Sequence, residues 1–223
     1  MTIPTHVLFF GAGFGTRMAP LSDHTPKPLI EVNGKPLLFH AMDLAPDLQA
    51  VVNVHYLADQ MVAAIGSRAI ISDETDVILE TGGGLKKALP ILGDGPVFTM
   101  NTDAVWRGPN PFDVLANAWQ DHMDGLLLLI AKPNARGHAG GGDFVMDDTN
   151  RIARGPGAIY SGCQIIRTDL LSEVTEARFS MWELWNRMLA RQTLFGVNYP
   201  GLWCDVGRPE SIPVAEEMLR QDV

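Results

Sequence analysis

The stretch Val7-Leu8-Phe9-Phe10-Gly11-Ala12-Gly13-Phe14-Gly15-Thr16-Arg17-Met18 joins a short apolar run to a glycine-rich loop. The apolar run predicts a buried β-strand. The glycines let the backbone approach a ligand without Cβ clashes, and successive N–H groups can then surround an anion. Arg17 in the loop and Lys27 beyond it add two cations of different shape. The pattern predicts a strand and loop of an α/β protein that holds phosphate groups, with an ordinary glycine-rich turn as the alternative.

Two well-known phosphate-binding motifs do not fit this loop. The dinucleotide fingerprint Gly-x-Gly-x-x-Gly would need its third glycine where the chain has Thr16. The P-loop motif requires a Lys-Ser or Lys-Thr pair after its last glycine, and none follows here. The sequence therefore excludes a standard NAD site and a Walker-type ATPase site.

The glycine-rich loop together with Pro26-Lys27-Pro28 resembles the sugar-1-phosphate nucleotidylyltransferases. The resemblance continues through Glu80-Thr81-Gly82-Gly83-Gly84 and Asn101-Thr102-Asp103 to Trp203-Cys204-Asp205-Val206-Gly207, and so covers nearly the whole chain. Within this family it is strongest to the short N-acetylmuramate-1-phosphate uridylyltransferases, which share the segment Gly142-Asp143-Phe144.

The resemblance implies a reaction and its charged residues. A nucleotidyl group would pass from a nucleoside triphosphate, UTP in the most similar group, to a sugar-1-phosphate, with release of pyrophosphate. Asp103 and Asp205 would be the Mg²⁺ ligands, and Arg17 and Lys27 would neutralise the phosphates. The middle residue Thr102 stands where the family has glycine in an Asn/Asp-Gly-Asp segment.

The resemblance also implies two sets of binding residues. Those for the nucleotide are Gly11, Ala12, Gly13, Gly15, Thr16, Asn53, Glu80, Gly82, Gly83 and Asn101. Those for the sugar are Gly142, Asp143, Ser161 and Gly162. The Glu-Lys-Pro segment that binds the sugar phosphate in many relatives is missing, which leaves Lys132, Arg136 and Arg154 as candidate cations. The apolar group around Trp182 and Trp185 is interpreted as core packing.

Independent physical arguments support the acidic pair. Asp103 follows a predicted strand at its carboxyl end, where α/β sheets bind ligands. A turn or helix-capping role is the alternative for both Asp103 and Asp205. If the fold brings the two carboxylates together, they repel each other unless a cation lies between them. Their pairing therefore indicates a site for a hard cation such as Mg²⁺.

Composition limits the class of protein. With 17 Lys and Arg against 26 Asp and Glu, the net charge is −9, which argues against sequence-independent nucleic-acid binding. The two cysteines form no Cys-x-x-Cys pair, so a disulfide framework is not expected. The N-terminus lacks a signal-peptide pattern, and the longest apolar run, residues 126–131, is too short to span a membrane. We expect a soluble, cytoplasmic protein.

Alternating apolar runs and helical patterns predict a Rossmann-like α/β fold, with a mixed, mostly parallel sheet flanked by helices. A single domain would span residues 1–223, with a nucleotide-binding part at about 1–131 and an acceptor-binding part at about 132–223. Predicted strands cover 7–10, 51–54, 69–72, 97–100, 125–130, 144–146, 159–166 and 194–199. Predicted helices cover 36–44, 58–65, 85–89, 112–119, 181–191 and 212–220.

Three alternatives stay open. Another base or acceptor, such as glucose-1-phosphate, mannose-1-phosphate or a phosphocholine-type phosphate, would keep the same machinery. A nucleotide-sensing domain would keep the fold without catalysis, although the four charged residues are all present. A metal-dependent glycosyltransferase expects an Asp-x-Asp pair, and Asn101 in the first position counts against it.

Overall fold

A seven-stranded sheet forms the centre of the molecule, for which a computed structural model describes residues 2–220. In chain order the strands are β1 (His6–Phe10), β2 (Glu31–Val32), β3 (Lys35–Pro36), β4 (Gln49–Val54), β5 (Ile70–Asp73), β6 (Pro96–Asn101), β7 (Ala104–Arg107), β8 (Gly125–Ile130), β9 (Ala135–Arg136), β10 (Phe144–Met146), β11 (Ile152–Arg154), β12 (Ile159–Arg167), β13 (Leu194–Asn198) and β14 (Leu202–Asp205). The central sheet has the order β13-β8-β12-β6-β1-β4-β5. Its strands pair in parallel except β12, which is antiparallel to both neighbours. The predicted mixed α/β fold is therefore confirmed.

Helices cover both faces of this sheet. They are α1 (Leu37–Met42), α2 (Ala58–Ile65), α3 (Glu80–Leu92), α4 (Pro111–Ala118), α5 (Trp182–Arg191) and α6 (Ser211–Arg220). Strands β12 and β13 come from the predicted acceptor-binding part yet lie in the same sheet as β1, so residues 2–220 form one domain. Met1 and residues 221–223 of the predicted domain lie outside the described residues.

The first strand shows why its sequence is continuously apolar. Val7 and Phe9 pack on one face, in the cluster that contains Phe112 of α4. Leu8 packs on the opposite face, in the cluster that contains Leu85 of α3. Because helices cover both faces, neither set of alternating side chains meets water, and the strand has no polar alternation. Its carboxyl end is thereby fixed in the centre of the sheet.

A second, three-stranded sheet of order β7-β14-β9 has no counterpart among the predicted elements. Strand β14 runs antiparallel to β7, with Asp205 opposite Ala104. The N–H of Val206 donates to the backbone carbonyl of Asp103 at 2.8 Å. This small sheet brings the two predicted metal ligands next to each other from distant parts of the chain.

The start of α3 corrects the sequence prediction. The helix was expected at 85–89 after a glycine loop, but it begins at Glu80 and includes Gly82, Gly83 and Gly84. The N–H groups of Gly82 and Gly83 donate to the carbonyl of Phe179, at 3.0 Å each. A tertiary contact therefore stabilises a first turn that glycine disfavours intrinsically. Within residues 2–220, no helix has the length and apolar composition that crossing a membrane requires.

Candidate active site

A cleft of about 300 Å³ opens at the carboxyl ends of β1, β4 and β6. Its wall consists of Phe10, Gly11, Ala12, Gly13, Gly15, Thr16, Arg17, Lys27, Pro28, Asn53, Glu74, Ile78, Glu80, Thr81, Asn101, Thr102, Asp103 and Gly207. The structure thus brings most of the predicted nucleotide-binding residues together with Arg17, Lys27 and Asp103. Gly82 and Gly83 are not on this wall.

Glycine occupies the three positions of the loop for different structural reasons. Gly15 has a φ of +64°, and a Cβ there would lie 2.7 Å from Cβ of Lys27. A Cβ on Gly11 would lie 2.9 Å from the carbonyl oxygen of Asn53. A Cβ on Gly13 would meet nothing within 4 Å. Packing therefore requires glycine at the first and third positions, whereas Gly13 adjoins open space in which a ligand can approach the backbone.

A buried polar relay holds this loop to the rest of the cleft. The amide oxygen of Asn53 accepts the N–H of Gly11 at 2.7 Å, and its amide nitrogen donates to Glu74 at 2.7 Å. The second carboxylate oxygen of Glu74 accepts the N–H of Leu79 at 3.1 Å. Glu74 is fully buried, and Asn53 is 2% exposed. The relay thus connects the glycine loop to the start of α3, and Asn53 is both a buried amide and part of the wall.

Asp103 forms an ion pair inside the cleft. Its carboxylate accepts a hydrogen bond from Nζ of Lys27 at 2.8 Å, and the Lys27 side chain is only 12% exposed. The neighbouring Thr102, which replaces the expected glycine, is buried and donates to the carbonyl of Phe10 at 2.7 Å. The threonine therefore ties the Asp103 loop to the end of β1 and leaves the carboxylate facing the cleft.

Asp205 lies directly behind Gly207 of the cleft wall. A Cβ on Gly207 would lie 3.0 Å from one carboxylate oxygen of Asp205. Burial raises the pKa of Asp205 above its ordinary value, and the charge of Asp103 raises it further, whereas Lys27, Arg17 and His138 oppose the shift. Nδ1 of His138 lies 3.8 Å from its carboxylate. Two carboxylates and two cations thus converge, and the acidic pair is costly to keep ionised unless a cation binds.

The start of α3 closes the opposite side of the cleft. Glu80 adopts a φ of +63° and pairs with Arg178, whose Nε lies 3.3 Å away. Gly82 and Gly83 instead face the chain around Phe179. A Cβ on Gly82 would lie 2.5 Å from the Phe179 ring, and one on Gly83 would lie 2.3 Å from the carbonyl oxygen of Ala177. The Cβ positions of these two glycines therefore face helix packing, and their part in nucleotide binding stays a prediction.

A second cavity of about 240 Å³ adjoins the cleft. The two share Phe10, Thr81 and Asn101; the rest of the second wall is Asp143, Phe144, Tyr160, Gln164, Ser180, Met181, Trp182 and Trp185. Asp143, a predicted sugar-binding residue, accepts the N–H of Tyr160 at 2.8 Å. The cavity thus continues the cleft into the predicted acceptor-binding part.

The other three predicted sugar-binding residues are not among those that line this cavity. Gly142 has a φ of +97°, and a Cβ there would lie 2.3 Å from the carbonyl oxygen of Gly157. The hydroxyl of buried Ser161 accepts the N–H of Cys163 at 3.1 Å. Gly162, with a φ of +86°, packs against the side chain of Asn101. The structure gives them turn and packing contacts that support the cavity.

Sequence reasoning missed the two tryptophans of this cavity. Trp182 and Trp185 pack with the core as predicted, but they also line this cavity. The indole N–H of Trp185 donates to Gln164 at 2.9 Å, and the amide of Gln164 donates to the hydroxyl of Thr99 at 3.0 Å. The helical spacing of the tryptophans fits a core face and a cavity wall equally well, so the sequence carries no signal that separates the two.

None of the three candidate cations for the sugar phosphate lies on either wall. Lys132 donates to the carbonyl of Pro156, and Arg136 donates to the carbonyl of Pro133. The guanidinium carbon of Arg154 lies 3.8 Å from the centroid of the Trp182 ring. Arg154 is therefore the candidate that touches a residue of the second cavity.

Comparison with known proteins identifies this arrangement. The family model described as the MobA-like NTP transferase domain matches residues 7–158. The chain belongs to this family. It is thus a nucleotidyltransferase, and the matched segment contains the glycine loop, Lys27 and Asp103 of the cleft.

Curated relatives of this NTP transferase extend the match beyond residue 158. The N-acetylmuramate alpha-1-phosphate uridylyltransferase of Caulobacter vibrioides is 36% identical over an alignment that covers 98% of each chain. The enzyme of the same name from Neisseria meningitidis serogroup B is 32% identical over 90% of this chain and 92% of its own. The mannose-1-phosphate guanylyltransferase catalytic subunit beta of Drosophila melanogaster is 28% identical over 92% of this chain and 60% of its own.

Solved structures share the fold of this NTP transferase. HddC from Yersinia pseudotuberculosis, crystallised with GMP-PN, superimposes with a TM-score of 0.76 at 21% identity, covering 97% of this chain and 100% of its own. The inositol-1-phosphate CTP transferase of T. maritima gives a TM-score of 0.74 at 14% identity, covering 100% and 99%. At such identities the likeness establishes the fold alone.

The acidic pair of this NTP transferase has the donor chemistry that Mg²⁺ requires. Asp103 and Asp205 supply hard carboxylate oxygens beside a cleft suited to phosphates. Within residues 2–220, no group of three or more His, Cys, Asp and Glu side chains forms a complete cage for a metal. Mg²⁺ is usually held by one or two carboxylates together with substrate phosphates and water. A two-carboxylate site therefore fits this ion.

Proposed function

We propose that this chain transfers a uridylyl group from UTP to N-acetylmuramate α-1-phosphate and releases pyrophosphate. The observation that carries the proposal is the convergence of Arg17, Lys27, Asp103 and Asp205 at one cleft that opens into a second cavity. The two uridylyltransferases among the relatives match this chain over at least 90% of its length and support the choice of base and acceptor.

The reaction needs charge neutralisation more than proton transfer. A phosphate oxygen of the acceptor attacks the α-phosphorus of UTP, a new P–O bond forms, and the bond to the bridging oxygen of pyrophosphate breaks. The attacking oxygen is already ionised at neutral pH, so no side chain has to remove a proton. Positioning and electrostatic stabilisation dominate phosphoryl-type transfer.

The charged residues divide this task. Arg17, exposed beside the glycine loop, is placed to pair with the outer phosphates that leave. Lys27 is largely enclosed between the loop and Asp103, so its charge would act on the phosphate nearest the reacting centre. The backbone around Gly13 offers N–H groups to the same phosphates. Glu74 and Asn53 hold that backbone in place.

Asp103 and Asp205 are the residues that would hold Mg²⁺. When bound, the ion supplies positive charge that neutralises the triphosphate and polarises its phosphorus–oxygen bonds. The ion pair with Lys27 at 2.8 Å orients the Asp103 carboxylate at the cleft. Burial first, and the charge of Asp103 second, raise the pKa of Asp205.

Mannose-1-phosphate guanylyl transfer is the second candidate. It is favoured by relatives such as the Drosophila enzyme, although this chain spans only 60% of that protein's length. The same cleft chemistry would serve both reactions, so the acceptor cavity and the base-binding wall decide between them.

The test is a matrix of four nucleoside triphosphates against N-acetylmuramate 1-phosphate, glucose-1-phosphate and mannose-1-phosphate, with Mg²⁺ present, read by pyrophosphate release. We expect the highest kcat/KM for UTP with N-acetylmuramate 1-phosphate. Preference for GTP with mannose-1-phosphate would establish the second candidate instead. Tight UTP binding by calorimetry without turnover of any acceptor would show a nucleotide-sensing domain.

A further inference from the structure

We propose that Arg154, stacked on Trp182 at the rim of the second cavity, binds a carboxylate on the acceptor sugar. The site would then select sugar phosphates with a second anionic group distant from the reacting phosphate. This inference rests on the proposed function and assigns a specificity role to a residue outside the phosphate machinery.

The fold fixes Arg154 beside the acceptor cavity. In the antiparallel pairing of β10 with β11, Arg154 lies directly opposite Phe144. The ring of Phe144 stacks on Trp182, with centroids 5.5 Å apart and an interplanar angle of 27°. Phe144 and Trp182 both line the second cavity, and Arg154 contacts the same indole. The guanidinium is thus held at the cavity edge by the residues that form its wall.

Arg154 is positioned but not neutralised. One of its terminal nitrogens donates to the side-chain oxygen of Asn186 at 2.8 Å, which with the indole contact orients the guanidinium plane. Within residues 2–220, no carboxylate lies at ion-pair distance from it. On the nearby α5, Arg187 pairs with Glu183 and Arg191 pairs with Glu173. In a chain of net charge −9, a fixed cation without an acidic partner is available to an anionic ligand.

The position suits a group at the far end of a sugar ring. The second cavity joins the cleft at Phe10, Thr81 and Asn101, so the acceptor's phosphate belongs at that junction, next to Asp103. Phe144 and Trp182 belong to the second cavity alone. An anion bound to Arg154 is therefore separated from the phosphate by the sugar itself.

N-acetylmuramate carries such an anion, because its lactyl ether at C3 ends in a carboxylate. Arginine matches a carboxylate with parallel N–H donors, and a guanidinium stacked on an aromatic ring loses little freedom on binding. The half-buried indole of Trp182 offers apolar contact surface to the sugar ring and its acetamido methyl group.

The experiment compares two acceptors that differ only by the lactyl ether, N-acetylmuramate 1-phosphate and N-acetylglucosamine 1-phosphate. Each is measured as substrate, or as competitive inhibitor, for wild type, Arg154→Gln and Arg154→Lys. Arg151→Gln is the matched control, because it removes the same charge from the same hairpin, away from both cavities. We expect Arg154→Gln to lower kcat/KM for the muramate by about 10- to 100-fold, mostly through KM. Arg154→Lys should lose less, and the glucosamine values should change less than twofold.

Equal losses for both acceptors would overturn the inference and assign Arg154 to the sugar phosphate. Unchanged kinetics with the muramate would overturn it as well, as would an Arg151→Gln effect of equal size. If wild type releases pyrophosphate with neither acceptor but does so with mannose-1-phosphate, the proposed function itself fails and the inference falls with it.

Discussion

The two cavities of this protein are lined by different kinds of chemical groups. The first cleft is lined by main chain, by Arg17 and Lys27 and by the Asp103 carboxylate, at the ends of parallel strands. The second is lined by aromatic side chains of β10, β12 and α5. Charge and backbone can act on the phosphates of any nucleotide, whereas aromatic walls discriminate among sugars by shape. Under the proposed function, the first cavity carries the chemistry and the second selects the acceptor.

Asp205→Ala should produce the largest effect and should not distinguish between acceptors. Loss of one of two carboxylates at the reacting centre should lower kcat by about 10²- to 10³-fold with every sugar phosphate. Pyrophosphate release measures this, and Asp148→Ala in an exposed turn is the control. Near wild-type turnover would remove Asp205 from the active site, and a loss confined to one acceptor would end the division between the cavities.

Glu74→Gln should impair the nucleotide side alone. An amide of the same size cannot accept from both Asn53 and the Leu79 N–H, so one buried donor loses its partner, at about 1–3 kcal/mol of unfolding free energy. Because the relay also holds the Gly11 N–H, we expect a raised KM for UTP and an unchanged KM for the acceptor.

Asp73→Asn, an exposed neighbour on β5, is the control for Glu74→Gln, and denaturant unfolding with steady-state kinetics gives both readings. A rise in acceptor KM alone would show that the relay serves the other cavity.

Trp185→Phe should impair the acceptor side alone. Phenylalanine keeps an aromatic wall but removes the indole donor to buried Gln164, which we expect to cost about 1 kcal/mol. The KM for the acceptor should rise while the KM for UTP stays constant. Trp119→Phe is a matched control, because Trp119 is equally buried, is remote from both walls and has no hydrogen-bond partner at its indole nitrogen. The same acceptor KM change in the control would make the effect one of general packing.

The stability change of Asp205→Asn should be the smallest of these effects, and it should be an increase. A carboxyl whose folded-state pKa is raised binds more protons in the folded than in the unfolded state. Metal-free wild type therefore loses stability as pH rises from the ordinary value of 3.8 through the raised value, and remains at the lower level above it. The uncharged amide removes this loss, so the variant should melt higher than wild type at neutral pH without metal.

Thermal unfolding in the presence of a chelator at pH 4 and pH 7 measures the difference in melting temperature between Asp205→Asn and wild type. This difference should be larger at pH 7. A variant less stable than wild type at pH 7 would show that Asp205 is a structural hydrogen-bond partner.

The contrast between the cavities also explains what could be predicted from sequence. The glycine loop, the strand before it and Lys27 are contiguous, and their geometry follows from local backbone chemistry. The pairing of Asp103 with Asp205 was available only through the family resemblance, because β7 and β14 lie far apart in the chain and no local pattern shows that they pair. Fold class and reaction type were thus within reach.

Features that depend on contacts between distant parts of the chain could not be predicted from the sequence. The three glycines of α3 have the sequence pattern of a loop. They are helical because Phe179, from the other half of the chain, accepts the N–H groups of Gly82 and Gly83. The packing of Gly82 and Gly83 against Phe179 and Ala177 has the same origin. Trp182 and Trp185 have the spacing of a core helix face, and only the tertiary arrangement of β10 against α5 leaves a cavity there. Local propensity contains no information on such contacts.

The central claim is that Asp103 and Asp205 form one cation site at the charged cleft. Mn²⁺ binding followed by electron paramagnetic resonance, with a non-hydrolysable UTP analogue present, tests it in wild type, Asp103→Asn and Asp205→Asn. The account predicts one protein-held ion per chain in wild type and loss of its spectrum in each single variant. A wild-type spectrum in either variant would show that the two carboxylates do not share a cation, and would contradict the account.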